Sequence, residues 1–186
     1  MTKTSKPEHF ALRVVKGYGY YLMSQIMSLF VYLSLMALAG WIVLRIICAL
    51  CVMGITLGLM FNWAYNACKN DLGLHRSGTK PLDTKMGYKM AGAIAVLPIV
   101  MLVVLILGKV GVLGETFPIF ILLDPWISPF VSLFTESRTA ASLGVIGLLG
   151  ILLLILTIPA AVIITYECVR RDVNISGLIY KKADNE

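Results

Sequence analysis

Charged side chains are scarce in this chain, at 14% of its 186 residues against about a quarter in an ordinary soluble domain. Between Gly17 and Cys68 the only one is Arg45. Histidine occurs twice and cysteine four times. Cys48 and Cys51 form a lone C-x-x-C with no second pair, and His9 and His75 belong to other segments, so a closed zinc set is missing. There is no P-loop, no G-x-S-x-G, no H-E-x-x-H and no dinucleotide fingerprint. Internal repeats, heptad runs and low-complexity segments are absent too. The apolar runs hold no carboxylate or histidine of the kind that usually lines a proton or ion path. No catalytic residue, cofactor site or metal site is therefore expected. The net charge of +6 sits beside the apolar runs, which argues against a nucleic-acid partner.

What the chain has instead is apolar length, with 59% hydrophobic residues. Three runs reach or exceed the ~18–20 residues of a bilayer span: Gly17–Cys68, Met90–Gly108 and Thr139–Tyr166. The first is long enough for two spans, and Arg45 divides it into halves that can each cross ~30 Å of hydrocarbon. It reads as a helical hairpin turning between Ala39-Gly40-Trp41 and Arg45, whose long side chain can reach the headgroups. The expected fold is an all-α integral membrane protein, a single domain with four transmembrane helices at about 18–40, 45–67, 88–108 and 141–166. A loop at 68–87 and a tail at 167–186 flank them. The late, long first run suits an uncleaved insertion signal better than a signal peptide.

Segment 109–138 fits none of these spans. Its apolar pieces are too short to cross alone, and Asp124 with Pro118, Pro125 and Pro129 interrupts them. With its aromatic residues it reads as an interfacial or re-entrant segment on the outer side. Orientation follows from the cations. Four spans put all but Arg45, Lys109 and Arg138 of the 16 lysines and arginines on one side. The positive-inside rule makes that side cytoplasmic, with both termini on it. Tyr18, Tyr20, Tyr21, Trp63, Tyr65, Tyr88 and Tyr166 then fall near inner span ends, and Trp41 and Trp126 near the outer interface. Pro7–Lys16 is expected as a short amphipathic helix on the inner surface, with Phe10, Val14 and Val15 facing lipid. This topology rejects the sequon at Asn174-Ile-Ser176, which stays in the cytoplasm.

Several residues invite a functional reading beside a plainer one. Cys48 and Cys51 share a helix face that suits a disulfide or half a metal site, or they simply pack as small apolar groups. Asp71 and His75 can be drawn as an acid–base pair, although a lone histidine in a basic loop is usually solvated. Among the outer charges Arg45, Glu115, Asp124 and Glu136, pairing across the outer face is one option. Asp124 could instead cap the Pro125-Trp126 turn or contact a cation or substrate. Gly54-Ile-Thr-Leu-Gly58, and the stripe Gly144, Gly147, Gly150, permit close helix packing, within the chain by default and between copies as the alternative. Pro98 and Pro159 are expected to kink their spans.

Tyr65-Asn66-Ala67, Lys85-Met-Gly-Tyr-Lys89, Ala91-Gly-Ala-Ile-Ala95 with Pro98, and the ending Ile175-Ser-Gly-Leu-Ile-Tyr180-Lys-Lys together resemble four-span membrane proteins of Gram-positive Firmicutes. The resemblance covers the inner loop, the start of span 3 and the C-terminus. It implies a bacterial plasma-membrane protein and supplies neither an activity nor site residues. The expected function is that of a non-enzymatic protein acting by association in the lipid bilayer, as an accessory or scaffold subunit or a homo-oligomer. The alternative is a small channel or transporter subunit for ions or small solutes.

Overall fold

The computed structural model describes residues 8–36, 42–79, 81–114, 116, 118–119, 123–134 and 142–171. They form helices α1 (Phe10–Met36), α2 (Ile42–Arg76), α3 (Met86–Lys109), α4 (Ser128–Phe134) and α5 (Val145–Arg170), and no strand occurs among them. Three of these helices, α2, α3 and α5, are long and apolar enough to cross a membrane. Helix α1 packs against α2, while α5 lies against both α2 and α3, and α4 rests on α2. The chain is thus an all-helical bundle of a membrane protein.

Its layering is inverted relative to a soluble bundle. Leu22, Phe30, Ile146 and Leu153 are among many large apolar side chains turned outward, each more than 60% exposed. An apolar exterior on this scale is a surface for lipid, far beyond the patches a soluble monomer shows. Inside, Val52, Met60, Ile94, Leu105, Ile155 and Val162 make a close-packed core.

Helix α1 carries the inversion furthest. Its buried stripe is Arg13, Gly17, Tyr21, Ser24, Gln25 and Ser28, and Leu22, Met23, Ile26, Met27 and Phe30 point out. Gly17 holds α1 against α2, because a Cβ there would run into the Trp63 ring. That contact sets an antiparallel register in which two turns on from Gly17 and two turns back from Trp63 bring Ser24 opposite Thr56.

Several expectations are corrected here. The stretch from Phe10 to Lys16 is no separate surface helix but the first turns of α1, because Arg13 is drawn inward to a carboxylate on α2. The predicted loop at 68–87 begins later, since α2 continues to Arg76 with Cys68, Asp71 and Leu74 on its buried face. Tyr21, Trp63, Trp126 and Tyr166 are buried among the helices. The two prolines expected inside spans, Pro98 and Pro159, do lie within helices α3 and α5.

The packing glycines also differ from those expected. Gly54, Gly58 and Gly144 are exposed, with open space where a Cβ would stand, whereas Gly147 is buried and Gly150 half-buried. The inward stripe of α2 is Val52, Thr56, Met60 and Trp63, so Gly54 and Gly58 are rotated to the opposite side. Close approach is achieved instead by Gly17 on Trp63, Gly87 on Tyr166 and Gly108 on Thr116.

The connection between α3 and α5 returns into the bundle. Thr116 sits on Gly108 and donates to the Val104 carbonyl at 3.3 Å. From there the chain reaches a turn in which Asp124, Pro125, Trp126, Ile127, Ser128 and Pro129 are all buried. Tyr18 on α1 donates to Ala93 of α3 at 2.7 Å, which levels the two helices. The residues that meet the turn, Tyr21 and Gln25, lie one and two turns beyond Tyr18. The turn therefore lies about 10–15 Å deeper along the bundle than Thr116, at 1.5 Å per helical residue.

Candidate functional site

Two polar layers are buried between the helices. The first joins α1, α2 and α5 near the start of α1. The Arg13 guanidinium grips Asp71 with both nitrogens, Nη1 to Oδ2 at 2.6 Å and Nη2 to Oδ1 at 2.8 Å. The Tyr166 hydroxyl donates to the same Oδ2 at 2.6 Å. Arg13 is 1% exposed and Asp71 7%, so this is a charge pair taken wholly out of solvent. Glu8 stands 3.8 Å from Arg13 Nε and also pairs with Lys16. Beneath it the Cys68 thiol donates to the Tyr166 carbonyl at 3.4 Å, and Arg170 holds Glu167. Fork-to-carboxylate geometry with a third donor is a closed arrangement, in which each Asp71 oxygen has a strong partner. Arg13 Nε and Glu8 Oε1 make no hydrogen bond in this layer, but each stands beside an opposite charge, Glu8 and Lys16 respectively.

The second layer is centred on Asp124, which is fully buried. Its Oδ1 accepts from the Tyr21 hydroxyl at 2.5 Å, and its Oδ2 has no partner. Gln25 accepts the Trp126 backbone N–H on its Oε1 at 3.4 Å, leaving Nε2 unused. The Trp126 indole nitrogen and the hydroxyls of Ser28, Thr56 and Ser128 are likewise buried without partners. Ser28 follows Gln25 by one turn, Ser128 follows Asp124 in the same tight turn, and Thr56 faces Ser24 across the α1–α2 seam. Buried polar groups are normally satisfied, by protein or by ordered water, so each of these atoms calls for an explanation. This layer offers one anionic oxygen, three hydroxyls able to give or take a proton, and two fixed N–H donors.

The predicted site residues fare unequally. Asp124 is neither on an outer face nor a cap: its carboxylate reaches across to α1, and only its backbone carbonyl serves the turn, accepting from Ile127 N–H. Arg45 is half-buried in the first turns of α2, and Glu115 and Glu136 lie outside the described residues. Cys48 points inward and Cys51 outward, and both are free thiols, so the C-x-x-C is not a disulfide here. Asp71 serves Arg13 and Tyr166, and His75 is exposed. Among the described residues, no group of three or more histidines, cysteines, aspartates or glutamates is placed to hold a metal.

Sequence reasoning missed Arg13, Asp71, Tyr21, Ser24 and Ser28 as interior groups. The signal was available in the spacing of Arg13, Gly17, Tyr21, Ser24 and Ser28, a polar stripe at helical intervals along an otherwise apolar segment. Comparison with known proteins adds no name to this arrangement: no family model, no curated protein and no solved structure matches the chain.

Proposed function

We propose that the chain is a four-span protein of a bacterial plasma membrane, N-in and C-in, that forms a permeation or transport site for ions or small polar solutes. In this reading α1 is the fourth span, its polar stripe turned to its neighbours and its apolar face to lipid, and segment 116–134 is re-entrant. The observation that carries the function is Asp124, a fully buried carboxylate enclosed by helices with one oxygen unpartnered. An ionisable residue in such a place is expensive and marks solute pathways far more often than inert packing. Non-helical backbone at membrane depth is also tolerated only where protein or a polar cavity receives it, as the Asp124–Ile127 turn is received.

The test is flux. Purified protein in liposomes should pass protons, monovalent cations or small polar solutes above the leak of empty vesicles, and Asp124→Asn should reduce that flux at least tenfold. An inert wild-type protein across such a panel would retire the reading. A second reading, association as an accessory subunit or homo-oligomer, is favoured by one observation, the outward-facing Gly54 and Gly58.

A further inference from the structure

We propose that Asp124 is a proton-binding site inside the bundle, taking an exchangeable proton on its free Oδ2. This deepens the transport reading and rests on segment 116–134 lying within the membrane. Three features of the layer select a proton over other ligands. A proton adds no volume, so it fits a turn that is packed on every side, with Asp124, Trp126 and Ile127 fully buried. Gln25 Nε2, which has no partner, is a donor and cannot serve as a metal ligand. The unpartnered groups on Ser28, Thr56 and Ser128 are hydroxyls, which can accept one hydrogen bond while donating another.

The change is simple to write. A proton taken from water forms an O–H bond at Oδ2, and the carboxylate becomes a neutral acid, while Oδ1 continues to accept from Tyr21. Release returns the proton to water, so no oxidant, reductant or leaving group is involved.

The surroundings isolate this acid. Tyr21 from α1 is the one titratable side chain that touches it, and no ion pair to Asp124 is present among the described residues. On α1, Arg13 stands two turns away and is committed to Asp71. Helix α2 brings Thr56 and Met60 to this level, with Cys48 two turns beyond Thr56 and Asp71 four turns the other way. The inward side chains of α3 and α5 along this stretch, Ile94, Pro98, Leu102, Ile151 and Ile155, do not titrate. On α4 the polar neighbour is Ser128.

Infrared difference spectroscopy of the protein in lipid nanodiscs tests the proposal without relying on flux. A protonated carboxyl shows a carbonyl stretch that an ionised one lacks. The wild type should show such a band, which shifts in heavy water, disappears as the pH is raised, and is lost completely in Asp124→Asn. Tyr21→Phe, which keeps the ring, should move the band without removing it, because Tyr21 is the partner of Oδ1. That shift is a second reading should Asp124→Asn fail to fold.

A wild type with no acid band at any pH overturns the proposal, as does a band that survives Asp124→Asn. Removal of the band by sodium at constant pH would also overturn it, showing a metal cation bound in the proton's place. The band with no flux in liposomes would sink the transport reading alone and leave the proton site in place.

Discussion

The layer around Arg13 and the layer around Asp124 use similar materials, a carboxylate, a tyrosine hydroxyl and a donor from a neighbouring helix. In the first, Asp71 receives a guanidinium fork and the Tyr166 hydroxyl, and both of its oxygens are occupied. In the second, Asp124 receives one hydroxyl and keeps one oxygen free amid five further unpartnered polar atoms. Burial is nearly complete in both, so exposure does not separate them. Satisfaction does. A closed charge network fixes the mutual position of α1, α2 and α5, whereas an open one retains the capacity to bind. The same residue types thus do structural or functional work according to how many partners the fold supplies.

The largest expected effect comes from opening the closed layer. Arg13→Leu leaves Asp71 buried without its counter-charge and should cost about 3–5 kcal/mol of stability. The double variant Arg13→Leu with Asp71→Leu removes both charges and should regain most of that loss. Asp124→Asn, tested by the same denaturant or thermal unfolding in detergent, should cost less than about 1.5 kcal/mol, the net worth of an ordinary hydrogen bond. Equal losses for Arg13→Leu and Asp124→Asn would erase the distinction between the layers.

A smaller effect concerns the seam that aligns both layers. Gly17→Val forces a branched side chain into the Trp63 ring, an overpacking that should cost about 1–3 kcal/mol. Trp63→Leu in the same chain makes room and should restore part of the loss. If Gly17→Val melts like the wild type, the α1–α2 register is not the one described, and Thr56 need not face Ser24.

What was legible in the sequence was whatever depends on composition over a long window. The apolar runs give helices α2, α3 and α5, and the first run does divide into two helices, although Arg45 lies within α2, which begins at Ile42 rather than at about 45. Pairings over long separations were not legible. Arg13 and Asp71 lie 58 positions apart, and Tyr21 and Asp124 lie 103 apart. The polar stripe that begins at Arg13 hints at a buried face, but nothing local in either segment says which carboxylate that arginine will meet. The Asp124 segment misled for a related reason. A proline-flanked aspartate has local backbone amides at hand, so capping is the economical guess, and only the incoming Tyr21 hydroxyl offers it something better. The glycines show the same limit. A G-x-x-x-G pattern states that close approach is possible, but which way Gly54 and Gly58 face is decided by Val52, Thr56, Met60 and Trp63 taking the inward positions.

That outward face supplies the smallest expected change in the fold itself. Gly54 and Gly58 have open space beside them, and the same ridge continues through Asn62 and Asn66, both exposed and bonded to each other at 2.9 Å. Gly54→Leu with Gly58→Leu should therefore leave unfolding of the monomer within about 0.5–1 kcal/mol of the wild type, as for surface substitutions, since leucine meets nothing and improves helix propensity. The informative measurement is oligomeric state, by sedimentation in mild detergent or crosslinking in membranes. If the association reading is right, the same double variant converts a wild-type oligomer to monomer while the Asp124 layer and its flux persist. A wild type that is monomeric throughout leaves the glycine face to lipid and removes the ground for that reading, because the one observation favouring it would then have no partner to explain.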